Sequence, residues 1–127
     1  METRVLTVTH AKAAHRRKPA IKLLGAWLDE IGFTAGKLVA GEYASGKIIL
    51  RLLDSGNFRD SGKGEFKAGS GLFQVRRQMK GKKHYSEIDL TGFWLERFGF
   101  TIGGVIAARY EYGLIKLLLI DPERFQE

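Results

Sequence analysis

Two phrases of this chain, LLGAWLDEIGFTAG at residues 23 to 36 and LTGFWLERFGFTIG at residues 90 to 103, are nearly the same words. Ile21 and Ile88, Trp27 and Trp94, Gly32 and Gly99, Gly36 and Gly103, and Gly46 and Gly113 all lie 67 residues apart, with no gap. From Ile21/Ile88 to Asp54/Asp121, 16 of 34 pairs are identical, far more than composition alone produces. A duplication of this kind constrains the fold strongly. Whatever one unit adopts the other adopts too, and both must share the core that 127 residues can bury. Carried backwards, the offset pairs Val5, Leu6 and Val8 with Leu72, Phe73 and Val75. The expected organisation is a first unit over 1–53, a linker over 54–70 rich in Gly, Ser and charge, and a second unit over 71–127.

Within a unit, RVLTVTH alternates apolar and polar residues, which predicts a strand at 4–10 matched by 72–77. Period-two Ile and Leu predict a second strand at 20–24 and 87–91. Trp27, Leu28 and Ile31, like Trp94, Leu95 and Phe98, have helical spacing, which places a short helix at 26–31 and 93–98. With Gly32 or Gly99 left-handed just past the helix end, Phe33 or Phe100 is placed to pack on Leu28 or Leu95 as in a Schellman motif. Hairpins follow, turning at Ser45-Gly46 and Tyr112-Gly113. Each unit reads β-β-α-β-β. A unit of about 50 ordered residues has little core of its own, and open hairpin edges invite pairing with a partner copy. The expectation is therefore an intramolecular pseudo-dimer: two units around a pseudo-two-fold axis forming one compact, mainly β barrel with short helices, with further homo-oligomerisation left open.

The net charge of +7 is concentrated. Residues 9–18 carry Lys12, Arg16, Arg17 and Lys18, residues 76–84 carry Arg76, Arg77, Lys80, Lys82 and Lys83, and neither stretch contains an acid. These two equivalent segments hold 9 of the 21 Lys and Arg, so the remainder, with 12 basic against 14 acidic residues, is slightly negative. One charge run is usually a solvated face; two acid-free runs at equivalent positions point to a polyanion, and cations on phosphates bind by releasing counterions. Neither segment has the apolar face that a membrane-surface helix needs, and no apolar run approaches a membrane span, so no membrane partner is expected. The absence of cysteine excludes disulfides and thiolate chemistry and accords with a cytoplasmic setting.

The pattern RVLTV, a basic stretch, PAIKLLGAWLDEIGFTAGKLV and a Gly-turn hairpin resembles the SymE-like toxins of type I toxin–antitoxin systems, a family related to the AbrB-type swapped-hairpin DNA-binding fold. The resemblance rests on Pro19, Leu23, Gly25, Trp27, Leu28, Gly32, Phe33 and Gly36, repeated in part by Leu90, Gly92, Trp94, Leu95, Gly99, Phe100 and Gly103; Ser86 replaces Pro19 in the second copy. It implies an AbrB-like swapped-hairpin architecture, here in tandem, and a nucleic-acid-binding protein, either an RNA endonuclease toxin or a DNA-binding regulator without catalysis. A third reading is a protein-interaction module that uses its basic loops on an acidic partner.

The binding residues expected from the charge pattern are the nine cations named above. Trp27, Trp94, Phe33 and Phe100 read as core; Tyr43, Tyr110 and Tyr112 near the hairpin turns read as more open. For catalysis His15 and His84, amid the basic segments, are the candidates for acid or base, although the duplication preserves no histidine position. Carboxylate and histidine spacing suggests neither a metal site nor a cofactor.

Overall fold

A computed structural model describes residues 2–11, 16–53 and 70–120. The first repeat contains strands β1 (Glu2–Thr7), β2 (Thr9–Ala11) and β3 (Lys18–Leu24), helix α1 (Ala26–Glu30), and strands β4 (Leu38–Ala44) and β5 (Lys47–Leu53). The second contains β6 (Ser70–Gln74), β7 (Arg76–Lys80) and β8 (Lys83–Thr91), a 3₁₀ helix at Phe93–Phe98, and β9 (Val105–Glu111) and β10 (Leu114–Ile120). The described residues are mainly β with two short helices. The expected linker lies outside the described residues except for Ser70, which begins β6.

Six strands form one sheet in the order β1-β9-β10-β5-β4-β6, and four form a second in the order β2-β3-β8-β7. Exchanging each strand for its repeat reverses both orders and leaves them unchanged, which is the signature of a two-fold relation. The axis passes between equivalent residues: Lys22 faces Asp89 across β3–β8, and Ile49 faces Lys116 across β5–β10. The repeats also trade strands. β1 of the first repeat pairs with β9 of the second, and β6 of the second pairs with β4 of the first. Neither repeat completes its half of the six-stranded sheet alone.

The strand expected over 4–10 is two strands. Alternation runs straight through Val8, but the chain leaves one sheet there and enters the other, and Val75 makes the same step between β6 and β7. Each valine is buried and held by the opposite repeat. Val8 N–H donates to Gly104 O at 2.8 Å and Val8 O accepts from Gly103 N–H at 2.9 Å; Val75 N–H donates to Lys37 O at 2.9 Å and Val75 O accepts from Gly36 N–H at 2.8 Å. The unit is thus β-β-β-α-β-β.

The helix ends follow the expected geometry. Gly32 and Gly99 have φ of 93° and 89°, Phe33 N–H reaches Leu28 O at 2.8 Å, and Phe100 N–H reaches Leu95 O at 3.0 Å. All four apolar side chains are fully buried. They join Ile21, Leu23, Ile88 and Leu90 from the smaller sheet and Val39, Ile48, Leu50, Ile106, Ile115 and Leu117 from the larger in one core between the sheets. Each such side chain contributes about 1.5–3 kcal/mol by leaving water. Both repeats supply this core in equal measure.

Candidate nucleic-acid interface

The described cations of the basic segments sit on or beside the paired strands of the smaller sheet. Arg16 and Arg17 lead into β3, which Lys18 begins; Lys12 and His15 lie outside the described residues. Arg76, Arg77 and Lys80 lie on β7, and Lys83 opens β8. Residues 76–84 are therefore a β-hairpin rather than a loop. Lys80 pairs with Lys83, and Gly81-Lys82 forms the turn, with Gly81 at φ 64°, where a Cβ would be strained.

The topology sets where these tips lie. β3 and β8 are antiparallel, so Lys18 at the start of β3 and Lys83 at the start of β8 lie toward opposite ends of the four-stranded sheet. Along the β3–β8 register Lys18 and Lys83 are separated by about ten residues of strand, on the order of 33 Å. One turn of B-form DNA spans about 34–36 Å.

Two arginines of the basic segments are engaged within the protein. Arg16 approaches Glu96 at 3.5 Å and lies over the Phe93 ring at 3.9 Å, while Arg76 approaches Asp89 at 3.7 Å. Asp89 also accepts the Thr91 hydroxyl. Among the described residues Arg17, Lys18, Arg77, Lys80, Lys82 and Lys83 have no ion pair, so each tip keeps uncompensated positive charge.

His84 belongs to a cleft of about 340 Å³ between α1 and the β7–β8 hairpin, which it lines with Arg77, Asp29, Thr34 and Ser86. Ser86, standing where the first repeat has Pro19, donates its hydroxyl to Asp29 Oδ1 at 2.6 Å, which satisfies both groups and ties the hairpin to the opposite repeat's helix. The position equivalent to Arg77 is His10, opposite Pro19 in the β2–β3 register, and the position equivalent to His84 is Arg17. Glu96 stands at the position of Asp29. These three equivalent positions therefore hold Arg77, His84 and Asp29 in one case and His10, Arg17 and Glu96 in the other, with Arg and His exchanged between strands. A position-by-position alignment hides this, because no single histidine is preserved. Among the described residues no three His, Asp or Glu side chains gather as a metal site, and no helix is long and apolar enough to cross a membrane.

The aromatic residues divide differently from expectation at two positions, Tyr110 and Trp94. Trp27, Phe33 and Phe100 are core and Tyr112 is exposed, but Tyr110, expected to be open, is buried against Trp27 at 4.8 Å between ring centroids. Strand β1 of the first repeat pairs beside it and lays Arg4 on it, and that pairing is not visible in local sequence. Tyr43 and Trp94 are half-buried and face a second, apolar pocket. Burial pushes the Tyr43 phenol up to about 12.

No protein-family model, curated protein or solved structure matches the chain.

Proposed function

We propose that this protein binds nucleic acid, and duplex DNA in particular, through the two basic hairpin tips. The observation that carries the reading is their placement: two tips with unpaired cations, related by a two-fold axis and separated by close to one turn of B-form DNA. A dyad-related pair of cationic tips matches the dyad-related phosphate tracks of a duplex, and Lys and Arg there supply salt-sensitive, largely sequence-independent affinity. The resemblance to SymE-like proteins and their AbrB-type relatives supports the same direction. Strand exchange between repeats is what a tandem swapped-hairpin fold of that kind would require.

The test is fluorescence anisotropy with a 20-base-pair DNA duplex and a single-stranded RNA of matched length, each titrated across a range of salt. The reading requires tight duplex binding with a steep log–log salt dependence. Weak binding to both at low salt would remove it and turn attention to an acidic protein partner.

The cleft favours one second reading, phosphodiester cleavage of RNA, because it brings Arg77 and His84 to one place. Arg77 would hold the phosphate, and His84 would take the 2′-hydroxyl proton or protonate the leaving oxygen. Cleavage of labelled RNA that survives His84→Ala at full rate would exclude His84 from any such chemistry.

A further inference from the structure

The two-fold relation breaks down at the paired rings of tryptophan and tyrosine. In the first half, the Trp27–Tyr110 ring pair is covered by Arg4: its guanidinium lies 4.8 Å from the Trp27 ring centroid and 5.9 Å from that of Tyr110, and its Nε donates to the Tyr110 hydroxyl at 3.3 Å. That hydroxyl in turn donates to Glu2 at 2.9 Å. The equivalent ring pair in the second half is Trp94–Tyr43, with centroids 4.6 Å apart, but the residue equivalent to Arg4 is Gly71. With glycine in place of that arginine, a pocket of about 500 Å³ opens there among the described residues, floored by Tyr43, Trp94, Phe73 and Phe98.

The first half shows what shape such a pair accepts, a flat group laid on the rings. The charge differs between the halves. Arg97 lines the open pocket, where the first repeat has Glu30, and no carboxylate lines it among the described residues. A flat cation suits the first half; a flat group bearing negative charge suits the second.

We propose that the Tyr43–Trp94 pocket binds the base of a nucleotide by stacking, with the phosphate held by Arg97. It is a second site, between strands β4 and β6 of the six-stranded sheet and the 3₁₀ helix rather than at the hairpin tips, and it takes an unpaired base. The neutral Tyr43 hydroxyl, which has no hydrogen-bond partner among the described residues, is a donor for a base edge or sugar oxygen. A free mononucleotide and an unpaired base in a single strand present the same chemistry.

The test reads Trp94 fluorescence in a Trp27→Phe background during titration with adenosine monophosphate, adenosine, and a six-nucleotide oligo(dA). Quenching by the monophosphate, with adenosine about tenfold weaker, is expected, because stacking and a phosphate contact each contribute on that scale. Tighter binding of the oligonucleotide than of the monophosphate identifies a strand-bound base as the ligand; equal binding identifies the free nucleotide. Arg97→Glu, at an exposed position, should weaken the monophosphate about tenfold and leave duplex binding unchanged. Gly71→Arg should abolish quenching by supplying the side chain that fills the first half's site. Its Cβ must displace the Tyr43 hydroxyl, so Arg97→Glu carries the test if that variant does not fold. No quenching by either the monophosphate or oligo(dA), or quenching indifferent to Arg97→Glu, overturns the proposal. Duplex anisotropy on the same samples keeps the two readings separable: loss of duplex binding alone counts against the tips, and loss of quenching alone counts against the pocket.

Discussion

Lys22 and Asp89 occupy the same position in the two repeats and stand opposite each other across β3 and β8, on the pseudo-two-fold axis. A symmetric dimer of either repeat would place a residue opposite itself there, Lys against Lys or Asp against Asp. Fusion into one chain lets the axis carry opposite charges, and Asp89 is further held by Arg76 and Thr91.

Like charges directly opposite destabilise a strand pair by up to about 1 kcal/mol. Asp89→Lys is expected to lower the urea midpoint, and adding Lys22→Asp should recover part of that loss by restoring the opposite pair. A double variant no more stable than Asp89→Lys alone would show that the axis charges do not couple.

Strand exchange makes each repeat incomplete. A fragment of residues 1–53 lacks β9, which pairs with β1, and β6, which pairs with β4. Expressed alone it should be unfolded or self-associated by circular dichroism and size exclusion, and mixing it with a 70–127 fragment should restore sheet signal. A monomeric, cooperatively folding 1–53 fragment would contradict the interleaved topology.

The helix-ending glycines are equivalent in conformation but not in surroundings. At Gly32 an added Cβ would meet the Tyr112 ring at 2.8 Å and Leu52 at 3.0 Å, whereas at Gly99 the nearest contact is Leu119 at 3.5 Å. Both alanine variants suffer the left-handed strain of about 1–2 kcal/mol, and Gly32→Ala adds overpacking. Thermal melts should rank Gly32→Ala clearly below Gly99→Ala.

The Tyr43 phenol titrates near 10 in an unfolded chain and is pushed up to about 12 in the folded one by burial. Below pH 10 both states hold the proton, so this group adds no pH dependence. Between pH 10 and 12 the unfolded state releases it first, and stability falls as pH rises. Tyr43→Phe should flatten that part of the alkaline stability profile; an unchanged slope would mean that the phenol ionises freely in the folded protein.

Features decided by nearby residues were legible in the sequence. The constant 67-residue offset exposes the duplication, and Gly-Phe after a short apolar helix dictates the Schellman ends, because all their hydrogen bonds close within six residues. The sheet crossings at Val8 and Val75 were not legible, since alternation is identical whether a strand continues or changes sheets. Nor was the choice of β9 as the partner of β1, as both hairpins offer similar apolar edges. The cations at the tips were found by their clustering. The cleft that brings Asp29 to Arg77 and His84, and the pocket opened by Gly71 where Arg4 fills the other half, depend on residues far apart in the chain. Only the pairing registers bring those together.

The most direct test of the binding account is the salt dependence of duplex affinity in three proteins. These are the native chain, a variant with Arg17 and Lys18 changed to Gln, and a variant that adds Lys80, Lys82 and Lys83 to Gln. Each phosphate contact contributes about 0.9 to the log–log slope, so the slope should fall in the first variant and fall further in the second while circular dichroism stays unchanged. A slope identical in all three proteins would contradict the account.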